Sequence, residues 1–373
     1  GILVAFDRMR EIVELDLENH VAVVQPGVTL AELDEATKAH GLVYPVFPGE
    51  NSASLGGNVA TNAGGMRAVR YGVTRQNVLG LTAVLGTGEI MRTGGKFVKA
   101  TSGYDLTQLI IGSEGTLAVA TEAILRLHPR LTHGSTVLVP FPDLEHVAAA
   151  VPRIVGSGLA PTVLEYIDFI TMSAITANVG LDLGVPQEVK DAAMAYLVVV
   201  LENRSESRLE EDTGELAELV DALDALDVYV LPSHAGAALI DAREKAFWTA
   251  KAHNADDIID VVVPRASIPV YLNRCQEIAN EHASLVVGCG HAGDGNVHLS
   301  VFQPDPDQRD AVMHEILAAG VALGGAVSGE HGIGTEKKRH LADIEDPAKI
   351  ELMRRIKGAF DPAGVLNPGV IFD

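Results

Sequence analysis

Two histidines stand seven positions apart in the glycine-rich stretch Gly290-His291-Ala292-Gly293-Asp294-Gly295-Asn296-Val297-His298. A Glu-His pair follows in Ser328-Gly329-Glu330-His331-Gly332-Ile333-Gly334. Two imidazoles and one carboxylate leave coordination positions open on a divalent metal, as catalytic centres require. His291, His298 and Glu330 are therefore candidate metal ligands, and His331 beside the carboxylate is a candidate proton acceptor. Zn, Mn and Fe(II) all accept this donor set. A single exposed histidine would carry no such reading; the pair together with Glu330 and His331 does. The helical zinc-protease pattern is missing, because Ala318 stands where His314-Glu315 would need a second His.

Two further stretches suit close approach of the backbone to a ligand. The first runs from Pro48-Gly49 through Ser54-Leu55-Gly56-Gly57-Asn58-Val59-Ala60-Thr61-Asn62-Ala63-Gly64-Gly65. Small residues dominate it, and Asn58, Thr61 and Asn62 supply short polar groups. The second is Gly112-Ser113-Glu114-Gly115-Thr116-Leu117. Neither matches the dinucleotide or P-loop fingerprints. Each alone reads as a tight turn; together they favour a cofactor cradle. Two arginines are candidate carboxylate clamps: Arg243, in the segment Asp241 to Trp248 that holds the only Trp, and Arg265, which follows a strand. The bland alternative for each is a solvated or helix-pairing cation. Lys337-Lys338-Arg339 reads as a solvated helix face.

The elements that must position these groups can be read from periodicity. Ile12 to Leu17 and Val21 to Val24 form a predicted hairpin around Glu18-Asn19-His20. Thr29 caps a predicted helix ending at Gly41. Val78 to Leu85 and Leu117 to Leu127 read as strands. From about residue 135 the texture changes, with strands at Thr136 to Val139, Val163 to Ile167, Ala195 to Leu201 and Val228 to Leu231. Predicted helices lie at Leu144 to Val155, Ser207 to Leu223 and Ala238 to Ala252. Next come strand Ile258 to Val263, helix Ile268 to His282, strand Leu285 to Gly288 and a helical tail, Pro347 to Phe360. This alternation implies an antiparallel sheet backed by helices. Val297, Leu299 and Val301 alternate with His298 and Ser300, which turns His298 away from the apolar face of its strand. The Gly293-Asp294-Gly295 turn then lets both imidazoles converge.

Composition narrows the class. The chain has 373 residues, enough for two or three domains with real cores, and its 47% apolar content is that of a globular protein. Net charge is −22, from 50 acidic and 28 basic residues, so nucleic-acid binding is not expected. Cys275 and Cys289 are the only cysteines and form no C-x-x-C motif, which is consistent with two reduced core thiols in a cytoplasmic protein. The opening Gly1-Ile2-Leu3-Val4-Ala5-Phe6 lacks a start Met and reads as the inside of a strand, so the natural N-terminus is expected upstream.

These segments together resemble the FAD-linked oxidases with a C-terminal FAD-oxidase domain. That group includes the catalytic subunit of bacterial glycolate oxidase, D-lactate dehydrogenase and D-2-hydroxyglutarate dehydrogenase. The matching stretches are Leu55 to Gly65, Gly103-Tyr104-Asp105-Leu106 with Gly112 to Leu117, Gly290 to His298, Ser328 to Gly334 and Leu366-Asn367-Pro368-Gly369. The resemblance implies an α+β fold. Its flavin-binding domain would be two-lobed, of the vanillyl-alcohol-oxidase/PCMH type, over residues 1–130, with the first lobe incomplete because the family's upstream pyrophosphate loop would precede Gly1. A substrate (cap) domain with an antiparallel sheet would follow at 131–340, and a helical segment at 341–373 would return to the flavin.

By the same resemblance, Pro48, Gly49, Gly57, Asn58, Thr61, Asn62, Gly64, Gly65, Glu114, Gly115 and Val119 would line the FAD, and Asn367 would approach it from the tail. His291, His298 and Glu330 would bind the metal, His331 would be the base, and Arg243 or Arg265 would hold the substrate carboxylate. The implied activity is metal-assisted oxidation of a D-2-hydroxy acid, D-lactate or glycolate foremost, to the 2-oxo acid. The expected partners are that substrate and an electron acceptor (a quinone, flavoprotein or iron-sulfur subunit), with a homodimer allowed. The expected location is cytoplasmic or peripheral at the inner membrane face. Competing readings are a D-2-hydroxyglutarate dehydrogenase, a non-oxidative flavin enzyme of the same superfamily, a metal-dependent hydrolase, and an inactive fragment or binding module.

Overall fold

The computed structural model describes residues 1–372. The chain forms two compact units. The first comprises residues 1–65 and 71–130 with the C-terminal segment from Glu330; the second comprises 66–70 and 131–329.

In the first unit, β1 (Ile12–Asp16) and β2 (Val21–Val24) form the hairpin read from the sequence, with His20 in the left-handed region at its turn. The short strand β3 (Leu42–Val43) comes next, then β4 (Val78–Leu85), β5 (Ile90–Gly94), β6 (Ala118–Arg126) and β7 (His128–Pro129). An antiparallel sheet of order β1-β2-β6-β4-β5 results, and β3 pairs separately with β7. Leu33, Leu55, Leu81 and Leu125 are fully buried in the core beside this sheet. Leu33 belongs to the helix Leu30–Lys38, which begins at a capping box: Thr29 Oγ1 accepts from Glu32 N, and the Glu32 carboxylate accepts from Thr29 N. The glycine-rich stretch read as a turn or cradle contains a helix, Leu55–Thr61, capped by Ser54. Leu55 and Val59 anchor it in the core, and this tertiary anchoring outweighs the poor helix propensity of its glycines. Residues 1–10 form no strand, contrary to the expectation for the opening segment; β1 begins at Ile12.

The C-terminal segment carries helices Lys338–Ile344 and Pro347–Phe360, the latter capped by Asp346. Lys357 Nζ then ties the chain end to the glycine loop, donating to Thr116 O at 2.8 Å and Leu366 O at 2.9 Å. Asp361 accepts from Val365 N and Leu366 N.

The second unit contains β8 (His133–Phe141), β9 (Val163–Asp168), β10 (Ala195–Asn203), β11 (Tyr229–Leu231), β12 (Asp257–Val262), β13 (Leu285–His291) and β14 (Asn296–Phe302). They build one antiparallel sheet of order β11-β8-β10-β9-β13-β14-β12. Consecutive residues Val137, Leu138 and Val139 are all fully buried, so both sheet faces are covered here. Helices Phe169–Val179 and Ser233–Glu244 contribute Met172, Ile175 and Leu239 to the cluster that holds Ile167 and Cys289. Helices Leu144–Gly156, Glu206–Asp221, Ile268–Glu281 and Pro306–Ala322 pack on the sheet as well. The single helix expected over 238–252 is two, Ser233–Glu244 and Ala246–Ala252, meeting at Lys245. No Pro or Gly marks that break, so periodicity alone ran through it. Both cysteines are buried free thiols, and burial pushes Cys275 up to about 12. Among the described residues, no helix is long and apolar enough to cross a membrane.

Candidate active site

Strand register decides what meets in the second unit. In the β13–β14 pair, Cys289 faces His298 and His291 faces Asn296. His291 and His298 are therefore diagonal neighbours on one face, close enough for large side chains to touch. Their ring centroids lie 5.0 Å apart with the planes at 80°, and ring nitrogens of the two approach within 4.8 Å. The turn between the strands needs Gly295 at φ +93, where an added Cβ would run into the carbonyl of Val263.

The flanking strands place a carboxylate behind each imidazole. β12 sets Asp260 directly across from His298, with Asp260 Oδ1 4.0 Å from His298 Nδ1. The other Asp260 oxygen accepts from Ser328 Oγ at 2.6 Å and Gly329 N at 3.1 Å. On the opposite side, the β9–β13 register pairs Tyr166 with Gly290, so Glu165 falls beside His291. Glu165 Oε1 lies 2.6 Å from His291 Nδ1, and Oε2 lies 2.7 Å from an Arg243 terminal nitrogen. Glu165 and Asp260 are fully buried, and His291 and Arg243 nearly so. Burial alone would raise the Glu165 carboxyl; the charge of Arg243 and the hydrogen bond from His291 outweigh it and hold the group below its ordinary value. Four adjacent strands thus present Glu165, His291, His298 and Asp260 in a row. The sequence reading found the two histidines and missed both carboxylates. A single acidic residue inside an apolar strand, as in Val163-Leu164-Glu165-Tyr166-Ile167 and Ile258-Ile259-Asp260-Val261-Val262, was the available signal, because such a group must be paired. Arg265 is exposed in the short 3-10 turn Arg265–Ser267, whose backbone adjoins Gly295 in the turn between the two histidines.

The first unit holds every residue expected to line a cofactor, along with Glu330 and His331. Asn58 is buried within the helix Leu55–Thr61, and Thr61 Oγ1 bonds back to Gly57 O. Asn62 ends that helix in the left-handed region and accepts from Arg75 N at 3.0 Å. Gly64 is buried beside Glu330: a Cβ there would come within 3.0 Å of Glu330 Oε2. Gly65, at φ +117, packs so tightly on Phe47 O that no side chain fits. Pro48 and Gly49 are half-buried in the connection just before Ser54.

Glu114 joins three segments. Its N–H donates to Ala60 O at 2.7 Å. Its carboxylate accepts from Ile333 N at 2.7 Å and Gly334 N at 2.8 Å, and its carbonyl accepts from Asn367 Nδ2 at 2.6 Å. The Glu114 side chain therefore pins the loop that follows His331. Gly115 sits under Asn367, while Val119 lies apart on β6, opposite Val84. Among the described residues, the buried groups here without a hydrogen-bond partner include Asn58 Nδ2 and Ser113 Oγ. Ser113 was not singled out from the sequence.

Residues 130–371 match the C-terminal domain of FAD linked oxidases, and residues 1–94 match an FAD binding domain. The chain is 58% identical over 372 residues to an uncharacterized FAD-linked oxidoreductase of Mycobacterium tuberculosis (strain ATCC 25618 / H37Rv), covering 100% of this chain and 81% of that one. It is 37% identical over 373 residues to a D-lactate dehydrogenase of Archaeoglobus fulgidus (strain ATCC 49558 / DSM 4304 / JCM 9628 / NBRC 100126 / VC-16), again covering 100% and 81%. Its fold matches that of the 4-ethylphenol oxidase from Gulosibacter chungangensis with a TM-score of 0.75 at 17% identity, over 98% of this chain and 79% of that one. The fold is thus the α+β, two-domain architecture of the vanillyl-alcohol-oxidase/PCMH flavoproteins. The chain belongs to the FAD-linked oxidase family and is an FAD-linked oxidoreductase.

The residues present fit both implied groups. A buried amide and hydroxyl lacking protein partners, beside glycines that leave room for close approach, suit a polar cofactor. Two converging imidazoles, each backed by a carboxylate, suit a divalent cation.

Proposed function

We propose that this chain oxidises a small D-2-hydroxy acid, D-lactate or glycolate, to the corresponding 2-oxo acid. The observation that carries this reading is the His291–His298 pair, converging on one sheet face of an FAD-linked oxidoreductase. Bound FAD takes up two electrons with the substrate's α-hydrogen, while a bound divalent cation polarises the hydroxyl oxygen. His291 and His298 would hold that cation, with Glu330 as the candidate carboxylate ligand. Zn, Mn and Fe(II) are all compatible with two imidazoles and a carboxylate.

His331 receives the hydroxyl proton as the C–O bond becomes a carbonyl. Arg243 is the candidate for the substrate carboxylate, and Arg265 is second. The Arg243 guanidinium is already shared with Glu165, so a substrate carboxylate would use its remaining donors. One cation of this kind suits a monocarboxylate, which favours lactate or glycolate over a longer diacid. The resemblance of the chain to a D-lactate dehydrogenase points the same way. The electrons leave to an external acceptor: a quinone, a flavoprotein or an iron-sulfur subunit.

Anaerobic mixing of the FAD-loaded protein with each acid tests the reading. D-lactate or glycolate should bleach the flavin absorbance and L-lactate should not. If D-lactate, glycolate and D-2-hydroxyglutarate all leave the yellow colour intact, the proposal is wrong.

A further inference from the structure

We propose that Glu165 is a positioning residue: one of its oxygens fixes the tautomer of His291, and the other holds Arg243, so that the two are oriented as one unit. The proposal rests on the reading of His291 as a metal ligand. Glu165 is fully buried on a strand whose neighbours Leu164, Tyr166 and Ile167 are apolar and buried too. An ionised carboxylate at such a position is tolerated only with partners. It has one for each oxygen, His291 Nδ1 at 2.6 Å and Arg243 at 2.7 Å.

The chemistry of the contact sets the proton position. A carboxylate held by a guanidinium only accepts, so His291 Nδ1 must donate. The remaining imidazole lone pair is then on Nε2, the atom a metal would use. Without Glu165 either tautomer is open to His291, and the Nε2–H form cannot ligate through Nε2. The same carboxylate restrains Arg243, which reaches it from the helix Ser233–Glu244. Packing alone does not require this arrangement, because an apolar side chain would fill the strand position without the cost of desolvating a charge.

The test is cobalt(II) binding to the full chain, read from its visible absorption, in wild type, Glu165→Gln and Glu165→Asp. Glu165→Gln should weaken cobalt binding by about 10–100-fold, in keeping with the loss of a carboxylate behind a liganding histidine. Glu165→Asp should recover part of the affinity. Cobalt affinity within about twofold of wild type in a Glu165→Gln protein that still melts cooperatively overturns the proposal. Should Glu165→Gln fail to fold, nitrogen-15 spectra of histidine-labelled wild type decide: the proposal requires His291 to carry its proton on Nδ1, and an Nε2–H tautomer overturns it. The substrate reading fails separately. Weakened cobalt binding in Glu165→Gln, with no flavin bleaching by any hydroxy acid in wild type, would keep Glu165 in this role and remove the proposed reaction.

Discussion

The region around Gly112–Thr116 in the first unit and the histidine face in the second differ in which atoms carry their chemistry. In the first, main-chain groups and short side chains dominate: Glu114 is held through its N–H and its carbonyl, and its carboxylate is spent on two backbone amides. In the second, the main chain only supplies register, and four ionisable side chains face one another across adjacent strands. The first region should therefore respond to changes in backbone freedom and volume. The second should respond to changes in charge and proton position while its strands stay in place.

The largest expected effect lies in the second region. His298→Ala should lower kcat for the hydroxy acid by about 10³-fold, the size expected when a Lewis acid worth several kcal/mol is lost. Its thermal midpoint should barely move, because His298 is the most exposed of the four side chains in the row. A variant that keeps full turnover would show that the two regions do not differ as described.

Next comes Glu114→Ala, which removes a charged acceptor from two backbone amides. It should cost about 2–3 kcal/mol in denaturant unfolding, with Glu114→Gln intermediate because an amide offers one acceptor oxygen instead of two. Equal losses in the two variants would mean that the bonds to Ile333 and Gly334 contribute little. Gly65→Ala should cost about 2 kcal/mol and release FAD more readily, since an alanine at φ +117 is strained and its Cβ meets Phe47 O. The same substitution at Gly156, which has open space around it and no positive φ, serves as the control and should be near neutral.

The smallest effect is electrostatic. Glu244, at the end of the helix that carries Arg243, is raised to about 7 by partial burial and by the neighbouring charge of Asp241. A carboxyl raised above its unfolded value holds its proton in the native state. Its contribution to stability is complete below the unfolded value near 4.5 and is lost as pH rises through about 7. Glu244→Gln should therefore melt close to wild type at pH 5 and above it at pH 8. A difference that stays constant across this range would show that Glu244 titrates normally.

Much of this was legible before any coordinates. Strand Val78–Leu85 and helix Pro347–Phe360 follow from strong periodicity with clear stops, and the hairpin bearing His291 and His298 follows from the glycines at its turn. Three things were not. The helix Leu55–Thr61 is held by burial of Leu55 and Val59, which local propensity opposes. The helix Pro306–Ala322 passed unread although Asp305-Pro306 is an ordinary start signal. Glu165 and Asp260 were absorbed into apolar strands, where their neighbours dominate the pattern; only strand order reveals that each stands beside a histidine.

The central claim is that His291 and His298 ligate a divalent cation in this flavoprotein. X-ray absorption at the metal edge of the purified protein, after elemental analysis, examines it most directly. Wild type should contain one metal per chain with two imidazoles in its scattering, at about 2.0–2.1 Å if the metal is zinc, and His298→Ala should lose most of its metal. A protein purified without stoichiometric metal, or a spectrum with no imidazole contribution, would contradict the claim.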